Sequence, residues 1–180
     1  LEMGIGAGWY EHEWRAYGYG FPGIGDRLGA LREGVEIFRQ AWTTGTATLD
    51  GKYYQVDGAR CYPRPLQGTS LPGSARNGIP IWIAGGGEKV TLRIAAEYAD
   101  YTNFDGTPEH FVHKSKILDA HCRDIGRDPG EIVRSANYNV VIGRDDAEVE
   151  GRLAWFRQHM ISAGVSEAKA DEQVESLTRQ

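Results

Sequence analysis

Residues 79–89 constrain the fold of this chain more than any other segment. Residues 79–84 (Ile-Pro-Ile-Trp-Ile-Ala) are apolar on both faces, which is typical of a strand in the middle of a parallel sheet, and Pro80 is tolerable only near the start of such a strand. Three glycines follow directly, Gly85, Gly86 and Gly87, and the apolar-rich residues 88–99 behind them predict a helix. The segment therefore predicts a strand–turn–helix unit whose strand has neighbours on both sides.

The same order of strand and helix recurs along the chain. Further strands are predicted at residues 1–6, 100–104 and 132–142, and further helices at residues 23–42, 107–126 and 145–160. This alternation predicts parallel strands joined by helical crossovers. Four such units make about half of a (β/α)8 barrel, so we expect an α/β fold, a partial TIM barrel. A flavodoxin-like doubly wound sheet is the alternative, because local patterns do not distinguish an open parallel sheet from a closed one.

Residues 44–78 interrupt the alternation. Two β-prone runs flank Asp50-Gly51, which predicts a β-hairpin, and the Pro-, Gly- and Ser-rich residues 61–78 predict an irregular excursion of the kind that often carries function. We expect one partial barrel domain over residues 1–165 with this insertion, followed by a polar tail over 166–180. Because the chain opens on Leu1 within a strand-like run, we expect it to be a piece of a larger protein.

Composition narrows the classes of function. A chain of 180 residues that is 41% hydrophobic can bury one core. Its net charge of −5, with scattered Lys and Arg, argues against nucleic acid and anionic membranes as partners. No apolar run approaches the roughly 18 residues of a membrane span. Cys61 and Cys122 show neither metal-ligand spacing nor the density of a disulfide scaffold, so we expect no metal site and a reducing, cytoplasmic setting.

The three glycines predict an anion site. Free backbone N–H groups and the positive end of the helix dipole favour an anion at the start of a helix, and glycines let the backbone approach a phosphate closely. Lys89 and Arg93 could support the phosphate charge. The alternative interpretation of the three glycines is a flexible loop in which they allow close packing. The alternative for Lys89 and Arg93 is a solvated helix face.

A second group of candidates follows the first strand. His12 lies between Glu11 and Glu13, so His12 and Glu13 are candidates for a general acid or base, although adjacent residues in a helical turn point in different directions and do not make a metal site. Trp9 and Tyr10 could contact a flat ligand or belong to the core. Asn103 ends its predicted strand and is a further polar candidate. The remaining histidines fall on outer helices and are expected to be solvent-facing or half-buried: His110, His113, His121 and His159.

At these motifs the chain resembles a known family. Gly4-Ile5-Gly6-Ala7-Gly8-Trp9-Tyr10, followed by Glu13, Ala16-Tyr17-Gly18 and Phe21-Pro22, resembles the fourth strand and following loop of the bacterial luciferase-like monooxygenase superfamily, most closely its coenzyme F420-dependent oxidoreductases. Residues 80–89, residues 95–100 and Asn103 are similar to the family's fifth strand, fifth helix and sixth strand. Residues 53–54 and 63–67 match its hairpin insertion. The resemblance covers residues 1–160, strands 4 to 7 of the barrel.

This resemblance implies an oxidoreductase that transfers a hydride between reduced F420, a deazaflavin, and an unknown organic substrate. The cofactor would lie at the carboxyl ends of the barrel strands, with Asn103 on the substrate side. Its phosphate would lie on two turns, the first formed by Ala7, Gly8 and Trp9 and the second by Gly85, Gly86 and Gly87. Lys89 would lie nearby. Flavin-using relatives place an Arg near Ala7 and an acid and a hydroxyl near Gly85 and Gly86, so the small residues here favour F420 over the alternative, an FMN-dependent monooxygenase.

The family's first three strands and its eighth strand have no counterpart in this chain. An alternative hypothesis, of a protein without catalytic activity, is therefore an inert barrel fragment that self-associates through its open sheet edge. We expect a homo-oligomer. A phosphate-binding barrel that acts on sugar phosphates without a flavin would require a catalytic Lys or Glu pair at strand ends, and no such pair is evident.

Overall fold

The structure is a computed structural model that describes residues 1–66, 78–138 and 140–178. Contacts within the chain divide it into two compact units, Leu1–Asn137 and Tyr138–Gln180. Part of the predicted irregular excursion, residues 67–77, lies outside the described residues. The elements of the first unit, in chain order, are β1 (Met3–Ile5), α1 (Glu11–Ala16), α2 (Ile24–Thr44), β2 (Thr46–Asp50), β3 (Gln55–Arg60), β4 (Ile81–Ala84), α3 (Thr91–Tyr98), β5 (Tyr101–Asp105), α4 (Pro108–Asp124), a short 3-10 helix (Pro129–Glu131) and β6 (Val133–Asn137).

A four-stranded parallel sheet organises the first unit. Its strand order is β1-β4-β5-β6, and all three pairings are parallel. The strand predicted to be central, β4, indeed lies between β1 and β5. Strands that are neighbours in this sheet are joined through helices, so the predicted α/β architecture of parallel strands and helical crossovers is confirmed.

The core lies between one face of this sheet and the helices. Ile81 and Ile83 of β4 are fully buried, whereas Trp82 and Ala84 alternate to the opposite face and are not. Trp82 stacks there on Tyr101 with ring centroids 4.5 Å apart. The buried helical residues recur at the predicted spacings: Leu31 and Val35 on α2; Leu92, Ile94, Ala95 and Ala96 on α3; Leu118 and Cys122 on α4.

A buried ion pair ties α2 to the sheet. Arg39 pairs with Asp100, and their side chains are 11% and 1% exposed. The Arg39 guanidinium also donates to the Tyr98 carbonyl at 2.6 Å, and Asp100 accepts the Ile81 backbone N–H at 2.8 Å. The Arg39–Asp100 pair therefore fixes α2, the end of α3 and the start of β4 together.

The predicted hairpin forms from β2 and β3, which pair antiparallel. Asp50 pairs with Gln55, so the loop has four residues rather than a two-residue Asp-Gly turn. The Glu33 carboxylate on α2 accepts the backbone N–H groups of Lys52 at 2.8 Å, Tyr53 at 2.8 Å and Tyr54 at 2.9 Å. The Glu33 carboxylate of α2 thus accepts the backbone N–H groups of the hairpin loop. In a tighter turn, acceptors within the hairpin would bind such groups.

Two predicted boundaries are wrong. Helix α3 begins at Thr91 rather than at Glu88, because residues 88–90 form a turn in which Leu92 donates to the Gly87 carbonyl at 3.0 Å. Strand β6 ends at Asn137 rather than at Ile142. Asn137 pairs with Asp105, the last residue of β5, so the ladder ends where its partner strand ends.

The second unit consists of α5 (Asp146–Ser162) and α6 (Glu167–Thr178), which pack on each other. Asp145 caps α5, since its side chain accepts the Glu148 backbone N–H at 2.9 Å. Arg157 joins the two helices through Asp171 at 2.5 Å. Residues 167–178 of the predicted polar tail therefore form a helix. None of the helices in the described ranges has the length and hydropathy needed to cross a bilayer.

Candidate functional site

The two predicted glycine-containing turns lie at the same edge of the sheet. Strands β1 and β4 are parallel neighbours, with Ile5 opposite Ile83. Gly6, Ala7 and Gly8 therefore leave β1 beside the point where Gly85, Gly86 and Gly87, the glycine turn, leave β4. A Cβ on Gly6 would lie 3.4 Å from the Ala84 carbonyl oxygen, so the two turns approach closely. This edge holds the carboxyl ends of the strands, where active sites of (β/α)8 barrels lie.

The backbone of the glycine turn presents donors that the protein does not use. Gly85 has φ +119° and donates its N–H to the Asn103 carbonyl at 3.2 Å. Within the described residues, the N–H groups of Gly86, Gly87 and Glu88 donate to no protein acceptor. They precede α3, whose dipole is positive at this end. Such a set of donors fits an anion.

One of the glycines also has a packing role. A Cβ on Gly87 would lie 2.7 Å from the Thr91 hydroxyl at the start of α3, so only glycine allows this approach. The two interpretations of the turn, anion binding and packing, are therefore compatible. Gly87 lets the chain turn tightly, and the tight turn is what presents its N–H groups.

Two lysines lie around the shallow depression beside the turn. Lys89 is exposed and forms no ion pair among the described residues. Lys114 of α4 is 8% exposed and places Nζ 2.7 Å from the Glu88 carboxylate. Arg93 pairs with Glu97 at 3.0 Å and lies 3.8 Å from Asp124, which supports the solvated-face interpretation for this residue. Lys89 is thus the cation of the predicted pair that is open to a ligand.

Helix α4 holds Glu88 at two different atoms. His113 Nε2 lies 3.1 Å from the Glu88 carboxylate, and His121 Nε2 lies 2.8 Å from the Glu88 backbone carbonyl. The hydrogen bond from Lys114, and then that from His113, keeps the pKa of the Glu88 carboxyl below its ordinary value. His113 is exposed and His121 half-buried, as expected for outer helices, but their shared contact with Glu88 was not predicted.

Sequence reasoning missed Lys114. A signal for it exists, because Lys114, Leu118 and Cys122 follow one another at four-residue spacing, and the last two form the buried stripe of α4. A lysine in a buried stripe needs an anionic partner, since an unpaired buried charge is costly. Which carboxylate would supply that partner depends on tertiary structure.

The turn after β1 exposes its aromatic side chains. Gly8 has φ +72°, and a Cβ there would lie 2.5 Å from the Trp14 indole nitrogen. Trp9 is 83% exposed, so the interpretation of Trp9 as a core residue is wrong. His12 and Glu13 lie exposed on the short helix α1. The structure therefore leaves Trp9 open to a ligand, and it places His12 and Glu13 near the same strand end.

Asn103 belongs to a polar row on the open face of the sheet. Its side-chain amide donates to the Ser135 hydroxyl at 2.9 Å and to the Asn137 side-chain oxygen at 3.2 Å. The register places Ala84, Asn103 and Ser135 side by side on neighbouring strands. Ser135 and Asn137 were not predicted, although alternation along β6 places both on one face.

A parallel sheet of strand–helix units with turns of this kind at its carboxyl edge is typical of α/β folds, (β/α)8 barrels among them. The chain belongs to the luciferase-like monooxygenase family, whose model matches residues 1–179. This membership confirms the predicted resemblance and the partial (β/α)8 barrel, and it excludes the doubly wound alternative. Among the described residues, no group of three or more His, Cys, Asp or Glu side chains could hold a metal ion.

Relatives with curated names include two kinds of enzyme. An F420-dependent glucose-6-phosphate dehydrogenase of Kineococcus radiotolerans is 36% identical over 85% of this chain and 43% of its own length. Pyrimidine monooxygenase RutA of Stutzerimonas stutzeri is 27% identical over 82% of this chain and 38% of its own length. The chain thus spans less than half the length of these relatives. The names of these relatives are those of a dehydrogenase and a monooxygenase.

A solved structure shares the fold. EDTA monooxygenase EmoA of Chelativorans sp. BNC1 matches with a TM-score of 0.64 at 18% identity, covering 95% of this chain and 41% of the other. At this identity the likeness shows the fold alone. It agrees with a barrel of which this chain supplies a part.

Proposed function

We propose that this chain is the cofactor-phosphate-binding part of a coenzyme F420-dependent oxidoreductase, an enzyme that transfers a hydride between the deazaflavin and a small organic substrate. The observation that carries the proposal is the set of N–H groups on Gly86, Gly87 and Glu88, which donate to no acceptor among the described residues and lie where the chain leaves the carboxyl end of β4. The identity with the F420-dependent relative over most of this chain supports it.

The residues of both turns would share the binding of the cofactor. Gly85, Gly86 and Gly87 would hold its phosphate through backbone N–H groups, and Lys89 would add a positive charge from the rim. Ala7 and Gly8 would let the backbone of the neighbouring turn approach, and exposed Trp9 would cover an apolar part of the ligand. When bound, the deazaflavin supplies the hydride chemistry itself.

On the substrate side, Asn103 would position a polar group of the substrate, because it projects from the open face of β5 and is oriented by Ser135 and Asn137. His12 and Glu13 are the candidates for moving a proton, since both are exposed near the end of β1. Positioning contributes more than any single group to such a reaction, since a hydride transfer depends on the distance between the reacting carbons.

An FMN-dependent monooxygenase is the second candidate. The observation in its favour is the similarity to pyrimidine monooxygenase RutA over 82% of the chain. The small residues Ala7, Gly85 and Gly86 favour F420. The resemblance implies that flavin-using relatives carry an Arg near the first of these positions and an acid and a hydroxyl near the other two.

Fluorescence titration of the chain with F420 and with FMN separates the two candidates. We expect F420 to be bound at least about tenfold more tightly than FMN, a difference of about 1.4 kcal/mol. Retention of FMN without F420 would replace the first candidate by the second. If neither cofactor is retained, the proposed cofactor site is wrong.

The role of Lys89 gives a variant test of the same site. Lys89→Gln should weaken F420 binding by about threefold to tenfold, because it removes one exposed charge from a phosphate site. Added salt should shrink the difference between wild type and variant. Lys116, an exposed residue of α4, provides the matched control, and Lys116→Gln should leave the affinity for F420 unchanged. Equal effects of the two variants would show that only overall charge matters.

A further inference from the structure

Glu88 joins the glycine turn to helix α4. It follows Gly87 directly, and its own N–H is one of the three unused donors of the turn. Its carboxylate accepts from Lys114 at 2.7 Å and from His113 at 3.1 Å, while His121 reaches its carbonyl at 2.8 Å. Three side chains of one helix therefore hold a single residue of the turn at both its side chain and its backbone.

The Lys114 contact is the shortest of the three. Its side chain is 10% exposed, whereas the Glu88 side chain is 44% exposed. A lysine so far removed from water requires a charged partner, and a charge-assisted hydrogen bond is about twice as strong as a neutral one. Lys114 is itself fixed, since it lies in the buried stripe of α4 with Leu118 and Cys122. It can therefore transmit the rigidity of the core to Glu88.

Rigidity at this position matters for binding an anion. Loops rich in glycine have many conformations, and ordering them on binding costs affinity. Donors that already point at the ligand avoid that cost. Gly85 is anchored by the Asn103 carbonyl at the start of the turn. Glu88 is the corresponding anchor at its end.

We propose that Lys114, assisted by His113 and His121, is a positioning residue that orders Gly86, Gly87 and Glu88 for the cofactor's anion by holding Glu88. The proposal rests on the proposed function for the identity of the anion. It assigns Lys114 an action through Glu88 and not through direct contact with the ligand.

A double-mutant cycle measured as F420 affinity tests this mechanism. Lys114→Met should weaken binding about tenfold in the wild-type background and by less than about twofold in the Glu88→Gln background, because the pair acts as a unit. Lys114→Arg, which keeps charge and donors, should recover most of the affinity. Lys116→Met on the same helix is the control and should change nothing. A loss of equal size in both backgrounds would mean that Lys114 acts on the anion directly and would overturn the proposal.

Backbone 15N relaxation of the ligand-free chain provides a readout that needs no cofactor. Lys114→Met should lower the order parameters of the N–H groups of residues 86–88 from about 0.85 to below about 0.6, with those of α3 and β4 unchanged. A uniform fall across the first unit would indicate a merely structural lysine and would also overturn the proposal. If wild type binds neither F420 nor FMN, the proposed function fails, while the relaxation result still decides whether Lys114 orders the turn.

Discussion

Asp100 shows how much a single buried residue can hold together. It links α2, α3 and β4 through Arg39 and the Ile81 N–H, and its side chain is 1% exposed. Removing one partner of a buried ion pair leaves the other charge uncompensated. Arg39→Met should therefore lower the free energy of unfolding by about 3–5 kcal/mol.

Urea denaturation checks this expectation, and helix α2 offers a matched control. Arg32 pairs with Glu97 but is 48% exposed, so Arg32→Met should cost less than about 1 kcal/mol. Similar losses for the two variants would show that burial does not set the strength of these ion pairs.

At the scale of elements, the Glu148 carboxylate holds the start of α5 together with the Asp145 cap. Glu148 accepts the Arg144 backbone N–H at 2.8 Å and pairs with the Arg144 and Arg152 side chains at 3.0 and 2.7 Å. These contacts, first the backbone hydrogen bond and then the two arginines, lower its pKa from 4.5 to about 2. Because the folded-state pKa is lowered, the stabilisation is fully present above pH 4.5 and is lost as the pH falls towards 2.

We therefore expect the first turn of α5 to fray as the pH falls from 4.5 towards 2. Carbon-detected NMR of the Glu148 carboxyl and the exchange of its amide follow this transition directly. Glu148→Gln removes this titrating group and leaves the Asp145 cap, so the first turn of α5 should show a smaller pH dependence than in wild type. A Glu148 carboxyl that titrates near its ordinary pKa would contradict the described contacts.

At the scale of the whole molecule, the first unit leaves one side of β1 without a partner among the described strands. A groove beside it is lined mainly by apolar residues, among them Ile5, Ala7, Leu31 and Phe38. Open edges of this kind promote pairing between chains. We expect the chain to self-associate through this edge, as a monomer–oligomer equilibrium that shifts with concentration.

Light scattering after size exclusion measures this equilibrium. Gly4→Lys should shift it towards monomer, because the charge would stand on β1, in space where an added Cβ has no atom within 4 Å. Gly151→Lys adds the same charge to α5, where the space around the Cβ is equally open, and should leave the equilibrium unchanged. A wild-type chain that stays monomeric at all concentrations would contradict the expectation.

Local sequence patterns determined the order of the elements and both glycine-containing turns. The spacing of Leu31 and Val35, the apolar run around Ile81 and Ile83, and the glycines after β4 each depend on residues close in sequence. Helical period, strand alternation and turn chemistry are local properties, so a single sequence carries them. The family resemblance followed from the same short motifs, and the family match over residues 1–179 confirms it.

Only the tertiary structure decided which distant residues meet. Arg39 and Asp100 are 61 positions apart, Lys114 and Glu88 are 26 apart, and Asn103 reaches Ser135 across 32. Such pairs follow from strand register and helix packing, which no local pattern specifies. The same reason explains one of the two wrong boundaries, since the end of β5 sets where β6 stops. The start of α3 is set instead by a local turn, in which Leu92 donates to the Gly87 carbonyl five residues back. The sequence alone therefore predicted a candidate site at the glycine turns, and the tertiary structure added the contacts of α4 with Glu88 that would hold these turns in shape.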